Sequence, residues 1–316
     1  MLRSAICAST LLGIVLLCGC GQSAPASSTP GKPKIGLVMK SLANEFFGTM
    51  EKGARAHQKE HEQEYDLISN GIKDETDLAA QINIVENMIN SRVNAIVLAP
   101  ADSKALVPVC KKAMDAGIVV INIDNKFDET ALAEKNIKIP FVGPDNRKGA
   151  GLAGTCLAKK LKSGDPVAIL EGSPGAFNAI QRKLGFEDAI KAAGLKVVSS
   201  QTANWEALKA EAVVAGMIRE HPEIKGILCS NDSMAIGAVS AIKSAQKLDQ
   251  VTIVGFDNIS DVQARMKKGE ILCTVDQHGD KIAAFGIEYA LEILKKKSTP
   301  ADKETPVDLI TADSLK

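Results

Sequence analysis

Polar side chains follow several of the predicted strands, at the point where each strand ends and a helix begins. An Asp or Asn in that position is often only the N-cap of the helix, and for Asp145, Asp232 and Asn258 capping and binding both remain open. A shared binding site becomes the better explanation when many strand ends, in both halves of the chain, offer such groups. The candidate ligand-binding residues of this kind are Lys40, Asn44, Asp124, Asn125, Asn231, Asp257 and Gln277.

These side chains suit a small polyhydroxylated ligand. Carboxylates accept hydrogen bonds from hydroxyls, amides donate and accept, and an ammonium group donates; bonds to the charged groups are the stronger ones. Aromatic rings can cover the C–H faces of a sugar. The chain has only one Trp, two Tyr and eight Phe, yet Phe46, Phe47, Trp205 and Phe256 flank the polar strand ends. Phe256 fits a core position equally well, so we predict a monosaccharide or polyol site bordered by the other three rings.

Short apolar runs alternate with longer helical patterns from Lys34 onwards. Most runs, such as 95–99, are continuously apolar, which is typical of parallel strands covered on both faces. The alternation predicts an α/β fold with two doubly wound parallel-sheet lobes, divided near residues 143–145. In such sheets ligands bind outside the carboxyl ends of the strands. The predicted strands are 35–40, 67–69, 95–99, 119–123, 141–143, 167–171, 197–202, 226–230, 251–256, 271–275 and 307–311, and the predicted helices are 45–62, 76–90, 103–116, 146–162, 178–193, 205–220, 232–245 and 278–296.

The N-terminus has the pattern of a lipoprotein signal peptide. Arg3 precedes a short, mostly apolar stretch over 11–17, and Leu17-Cys18-Gly19-Cys20 resembles a lipobox. The stretch is too short for a permanent transmembrane helix. We predict a signal peptide over 1–19, lipidation at Cys20 and a flexible tether over 20–33, rich in Ser, Pro, Ala and Gly. A start-transfer helix that is never cleaved is the alternative. With the signal peptide cleaved and Cys20 lipidated, we expect the protein in the periplasm or at the extracytoplasmic surface of a membrane, anchored by lipid.

Charge and cysteine content narrow the possible partners. The chain has 38 basic and 38 acidic residues, and this zero net charge gives no support to a nucleic-acid partner. Removing the signal peptide and lipidating Cys20 leaves four cysteines in apolar contexts. We expect free thiols rather than disulfides at these positions, although an exported protein could pair them. The four are Cys110, Cys156, Cys229 and Cys273.

Two short motifs resemble cofactor or metal sites without the surroundings that those sites need. The glycines of 149–154 match a dinucleotide fingerprint, but they fall inside a predicted helix and not at its first turn. The sequence His57-Gln-Lys-Glu60-His61 matches an inverted zinc-protease motif, but it lies far from the strand ends and has no evident third ligand. We therefore expect no cofactor, no metal and no catalytic site.

The motifs at the strand ends resemble those of the ribose- and allose-binding proteins. These are type I periplasmic sugar-binding proteins of ABC transporters, and the resemblance runs in order over about 34–312. The motifs are Lys40-Ser-Leu-Ala-Asn44-Glu-Phe46-Phe47, Asn122-Ile-Asp124, Gly143-Pro-Asp145-Asn146, Ser230-Asn231-Asp232-Ser-Met-Ala, Val254-Gly-Phe256-Asp257 and Asp276-Gln277. The stretch Asp124-Asn-Lys-Phe-Asp is similar to the allose-binding branch in particular.

The resemblance implies a monomer that closes around its ligand and delivers it to a membrane permease. It implies sugar contacts at Asn44, Phe46, Phe47, Asp124, Trp205, Asn231, Asp257 and Gln277, and at Lys40 in the allose-binding branch. It also implies three crossovers between lobes, near 143–145, 276–278 and 304–307. The N-terminal lobe would comprise 34–144 and 278–305, and the C-terminal lobe 145–277 and 306–316.

Three positions depart from the ribose-binding pattern. Asn125 and Ile180 stand where ribose-binding members are expected to have arginines, and Ala99 replaces an asparagine. Asn178 or Gln181 could take over from Ile180, and the sequence leaves open whether Asn178, Ile180, Gln181 or Arg182 contributes to the pocket. Ribose itself therefore becomes a doubtful ligand, and we expect an allose-like hexose, a ketohexose, another pentose or a polyol.

Other functions remain open at this point. The same lobes could sense a ligand for a chemoreceptor or a membrane histidine kinase. A LacI-type repressor is disfavoured because a lipoprotein signal stands where its helix-turn-helix would lie. An exported enzyme has no candidate catalytic residues here, and an amino-acid ligand would need partners for both of its charges.

Overall fold

A computed structural model describes residues 31–296 and 300–315. The predicted signal peptide over 1–19, Cys20 and most of the predicted tether lie outside these residues. Within the described part of the chain, no helix combines the length and apolar character needed to cross a bilayer.

The first lobe is built on a six-stranded parallel sheet with the strand order β11-β5-β4-β3-β1-β2. Its strands are β1 (Lys34–Ser41), β2 (Asp66–Ile72), β3 (Ala95–Leu98), β4 (Val119–Ile123), β5 (Phe141–Pro144) and β11 (Lys303–Thr305). Its helices are α1 (Glu45–Glu60), α2 (Leu78–Asn90), α3 (Val107–Asp115), α4 (Glu129–Glu134) and α10 (Gly279–Leu294).

The second lobe repeats this plan with the strand order β12-β10-β9-β8-β6-β7, in which β12 is antiparallel to β10. Its strands are β6 (Pro166–Glu171), β7 (Lys196–Thr202), β8 (Gly226–Cys229), β9 (Thr252–Val254), β10 (Cys273–Asp276) and β12 (Asp308–Thr311). Its helices are α5 (Asn146–Ala158), α6 (Phe177–Ala192), α7 (Ala207–Glu220), α8 (Asp232–Ser244) and α9 (Ser260–Lys267), and a short 3-10 helix spans Ala312–Leu315.

The central strands form the core because helices cover both of their faces. All four residues of β3 and all four of β8 are buried. Helix α10 approaches the first sheet closely at Gly286, where a Cβ atom would lie only 2.8 Å from Ile123 and Val97 side chains. The predicted fold class, two doubly wound α/β lobes, is therefore confirmed.

The chain passes between the two sheets three times, after β5, after β10 and after β11. Four elements, α4, α9, β11 and the short 3-10 helix, are absent from the sequence-based prediction. Because parallel strands of each sheet present their carboxyl ends at one edge, this topology places the two rows of strand ends on either side of one cleft.

Candidate functional site

One narrow cavity lies between the strand ends of the two lobes. The first lobe contributes Lys40, Asn44, Phe46, Phe47, Glu75 and Asp124 to its lining. The second lobe, with the crossover that follows β10, contributes Asn178, Arg182, Trp205, Asn231, Asp257 and Gln277. Nine of the ten predicted binding residues are thus brought together, and Asn125 is the exception. Their contacts with a sugar remain a prediction.

A buried ion pair forms the wall contributed by the first lobe. The Lys40 ammonium lies 3.0 Å from Asp124, and the side chains are only 3% and 2% exposed. The same ammonium lies 5.6 Å from the centre of the Phe47 ring and 5.7 Å from that of Trp205, within the range of cation–π attraction. Asp124 adopts a left-handed backbone with φ of 62°, and strain of this kind often marks functional sites.

A second buried ion pair forms the opposite wall. Nη1 of Arg182 lies 3.5 Å from Asp257, and Nε2 of Gln277 donates to the same carboxylate oxygen at 2.7 Å. The guanidinium group also donates to the Asn146 side chain at 2.8 Å and to the Ser230 carbonyl at 2.7 Å. Burial raises the pKa of Asp257 well above its ordinary range, against the opposing effect of Arg182.

The presence of Arg182 corrects the expectation that both arginines of the ribose-binding pattern are missing. Asn178 and Arg182 lie four residues apart on α6, so both face the cleft. Ile180 is 49% exposed on another side of the helix, and neither Ile180 nor Gln181 lines the cavity. A cation therefore lines the cavity two residues beyond Ile180.

Asn125 does not line the cavity, which corrects the prediction that it belongs to the binding site. It is fully buried, and its amide Nδ2 donates to the Pro100 carbonyl at 2.9 Å. Its Oδ1 accepts hydrogen bonds from the Ser103 hydroxyl and the Asn178 backbone N–H. The side chain is therefore occupied by the protein itself.

Trp205 forms one end of the cavity. The indole is 5% exposed, and its Nε1 has no hydrogen-bond partner within the protein. A Cβ at Gly172 would lie 2.2 Å from the ring, so only glycine allows the indole to pack against the end of β6. Asn204 and Trp205 both have positive φ, at 51° and 71°, and this turn aims the ring inward.

Asn44 and Asn231 serve as helix caps and as cavity walls at the same time. Asn44 caps α1 by accepting from Phe46 N at 3.1 Å, and Asn231 caps α8 by accepting from Met234 N at 2.9 Å. Their amide groups point the other way: Nδ2 of Asn231 donates to the Trp205 carbonyl at 3.2 Å. Capping and binding are therefore compatible at these positions.

The other strand-end residues have structural roles. Asp145 caps α5 through Lys148 N. Asp232 is buried behind the cavity and accepts from the Thr274 hydroxyl at 2.7 Å; its burial raises its pKa to about 7. Asn258 donates to Asp276. Phe256 lies in the core, with its ring centre 3.7 Å from the Arg182 guanidinium carbon.

Glu75 is a cavity residue that the sequence prediction missed. Its carboxyl is 4% exposed and accepts from Nδ2 of Asn44 at 3.2 Å, while its Oε2 has no partner within the protein. Burial raises the pKa of Glu75 to about 7, against the lowering effects of Lys40 and the Asn44 hydrogen bond. The predicted strand ended at residue 69, whereas β2 extends to Ile72. The strand-end rule, by which polar residues just after a strand are binding candidates, would have identified Glu75 if the end of β2 had been placed correctly.

The two motifs that resemble dinucleotide and zinc sites have structural surroundings in the fold. The glycines of 149–154 lie inside α5. His57 bonds to the Tyr65 hydroxyl at 2.8 Å and stacks on His61, and among the described residues no acidic, Cys or His side chains are grouped to hold a metal. All four cysteines of the described chain are free, as expected.

Comparison with known proteins identifies the family. A model of the periplasmic binding protein domain matches residues 35–298. A D-ribose/D-allose-binding protein of Pseudomonas aeruginosa is 56% identical over 310 residues, which cover 96% of this chain and 97% of that protein. A D-allose-binding periplasmic protein of Escherichia coli is 31% identical over 305 residues, covering 95% and 94%.

Solved structures agree with this assignment. An ABC transporter solute-binding protein from Burkholderia multivorans has a TM-score of 0.87 at 57% identity and covers 89% of this chain and 100% of its own. One from Actinobacillus succinogenes with bound D-allose has a TM-score of 0.83 at 36% identity and covers 89% and 98%. These relatives are substrate-binding proteins and not enzymes. The chain therefore belongs to the periplasmic binding protein family, among the sugar-binding proteins of ABC transporters.

Proposed function

We propose that the protein captures a single aldose sugar of the allose or ribose type by closing its two lobes around it. One observation carries this proposal. Besides Asp124 Oδ2, which faces the Lys40 ammonium, four buried polar atoms of the cavity wall have no hydrogen-bond partner within the protein: Glu75 Oε2, Asn178 Oδ1, Trp205 Nε1 and Gln277 Oε1. Leaving such groups unsatisfied is costly. A ligand with hydroxyls on several sides would supply the missing partners.

The charge of the cavity favours a neutral ligand such as a sugar. Two cations, Lys40 and Arg182, pair with two aspartates, Asp124 and Asp257. These four charges balance, so the ligand does not have to supply a charge of its own. Ion-paired carboxylates and cations form strong bonds to hydroxyls.

The relatives support an aldose. The Pseudomonas aeruginosa protein is named for D-ribose and D-allose, and the Actinobacillus succinogenes protein holds D-allose. Arg182 weakens the argument against ribose, because its guanidinium group lines the cavity. We therefore propose D-allose and D-ribose as ligands, ahead of the ketohexoses and polyols.

The proposed cycle ends at a membrane permease of an ABC transporter. Lipidation of Cys20 would hold the mature protein at the outer surface of a membrane, with 20–33 as tether. The lobes, 34–144 with 278–305 and 145–277 with 306–316, would move about the three crossovers. Hinge closure of this kind satisfies a ligand from both sides and excludes water, and only a higher affinity for the closed state can drive it.

The single tryptophan gives a direct test. The mature protein would be titrated with D-allose, D-ribose, D-allulose, D-fructose, D-galactose, D-xylose and common polyols while Trp205 fluorescence and melting temperature are followed. We expect D-allose and D-ribose to change both signals, and Trp205→Phe to keep only the thermal shift. If no sugar moves either signal, the proposed function is wrong.

A further inference from the structure

Three helices of the second lobe, α6, α7 and α9, begin without a hydrogen bond from their own N-cap side chain, and in α6 and α9 the N-cap residue is apolar. These apolar residues are Ala176 and Ile259, and neither offers a side-chain acceptor. The first N–H groups of a helix have no partner within the helix, and polar side chains usually satisfy them. For α6 and α9 the acceptors come from the opposite lobe.

Helix α6 is capped by two residues that follow strands of the first lobe. The hydroxyl oxygen of Ser103 accepts from Phe177 N at 2.9 Å, and Oδ1 of Asn125 accepts from Asn178 N at 3.1 Å. Ser103 N also donates to the Gly175 carbonyl at 2.9 Å. The Ser103 hydroxyl donates to Oδ1 of Asn125 at 3.3 Å, so the two capping side chains support each other.

Helix α9 receives its cap from Glu45 in the first turn of α1. Oε1 of Glu45 accepts from Ser260 N at 2.9 Å. The carboxylate thus stands beside the N-termini of two helices, one from each lobe, where the helix dipoles favour a negative charge. Both cross-lobe caps exist only while the lobes are together, because separating the lobes leaves these N–H groups to water.

We propose that Ser103, Asn125 and Glu45 form a latch that stabilises the closed arrangement by capping α6 and α9 across the cleft. This inference rests on the proposed binding function. None of the three residues lines the sugar cavity, so they are positioning residues that act on closure and not on the choice of ligand. The apparent affinity scales with the population of the binding-competent state. Weakening the latch therefore weakens all ligands by one common factor.

Calorimetric titration of the mature protein with D-allose and D-ribose tests the latch. We expect Ser103→Ala and Glu45→Ala each to raise both dissociation constants by the same factor, about tenfold, as for one lost cap, without changing the ligand-free melting temperature. Ser103→Thr and Glu45→Gln keep an acceptor oxygen and should bind nearly as the wild type does. The control is Asp77→Ala, which removes a cap of α2 within one lobe and should lower stability but not affinity.

Single-molecule FRET between dyes on the two lobes provides a readout without ligand. The alanine variants should have a smaller closed fraction than the wild type, and the two conservative variants should not. The latch would be overturned if the alanine variants kept the affinities and closed fraction of the wild type. It would also be overturned if their dissociation constants rose by different factors for D-allose and D-ribose. If the wild type binds neither sugar, the proposed function fails, while the FRET comparison still decides the latch.

Discussion

The two walls of the sugar cavity are held in place differently. The wall of the second lobe is fixed by its own lobe, since Arg182 bonds to Asn146, Ser230 and Asp257 and lies over Phe256. In the wall of the first lobe, Lys40 has Asp124 beside it but is covered by Trp205 of the opposite lobe. The second lobe therefore presents a preformed half-site, whereas the first becomes a dry surface only on closure. Removing a charged side chain from the second-lobe wall should lower both the free energy of unfolding and the affinity for sugar. Removing one from the first-lobe wall should lower mainly the affinity.

Arg182→Ala should have the largest effect. It leaves Asp257 buried without its cation, and breaking a buried pair in this way lowers the free energy of unfolding by about 3–5 kcal/mol. Urea denaturation of the ligand-free protein measures this loss, and calorimetry should detect no sugar binding. The double variant Arg182→Ala/Asp257→Asn removes the unpaired charge and should regain much of the stability but not the binding. A ligand-free stability equal to that of the wild type would contradict the preformed half-site.

Lys40→Met should separate binding from stability. In the open form the Lys40–Asp124 pair is reached by water, and exposed pairs contribute only about 0–1 kcal/mol to the free energy of unfolding. Binding should fall by about a hundredfold, because a charge-assisted donor is lost from the closed cavity. Lys52→Met, on the outer part of α1, is a control that should change neither property. If Lys40→Met lowered the free energy of unfolding as much as Arg182→Ala does, the proposed difference between the two walls would be wrong.

Glu75 should make binding depend on pH. Burial raises its pKa to about 7, with further raising from Asp124 and from Glu206 of the opposite lobe and lowering from Lys40 and Asn44. A carboxyl whose pKa rises on closure takes up a proton, so closure is favoured at low pH and that contribution is lost as the pH rises through about 7. We expect affinity to fall by about tenfold between pH 6 and pH 8.

The matched variant for this prediction is Glu75→Gln, which keeps a neutral group of the same size. Its dissociation constant should vary less with pH than that of the wild type over the same range. An identical pH profile for the two proteins would show that Glu75 does not take up a proton on closure.

Ile180→Ser should have the smallest effect and checks the position of the arginine. Its side chain is 49% exposed and lies outside the cavity, and such surface changes usually alter stability by less than about 0.5 kcal/mol. Sugar affinity should stay the same within error in calorimetry. A marked loss of affinity would mean that Ile180, and not Arg182, occupies the site.

The fold could be predicted from the sequence because continuous apolar strands that alternate with helices are compatible with few fold classes other than a parallel α/β fold. The sequence-based prediction missed short elements whose sequences carry little pattern, such as β11 (Lys303–Thr305), with two of three residues exposed, and the two-turn helix α9. The strand-end rule found six cavity residues, because parallel strands must end at one edge of the sheet, and the flanking aromatic rings added Phe46, Phe47 and Trp205. The same rule missed Glu75 only because the end of β2 was placed three residues too early.

The errors at Arg182 and Asn125 have another cause. Alignment by position matched Ile180 to an arginine of the ribose-binding pattern, whereas helical periodicity decides which residues of α6 face the cleft. Asn125 shows that a position at a strand end does not guarantee a place in the cavity. Its side-chain amide is already hydrogen-bonded to Pro100, Ser103 and Asn178 in neighbouring segments. Only the folded arrangement of those segments reveals these hydrogen bonds.

The central claim is that both walls close on one aldose molecule. Isothermal titration of the mature wild-type protein with D-allose tests it most directly. We predict saturable binding of one sugar per chain, with a dissociation constant in the micromolar range or tighter, and complete loss of the signal in Arg182→Ala. No measurable heat with either D-allose or D-ribose, together with an unchanged melting temperature, would contradict the claim.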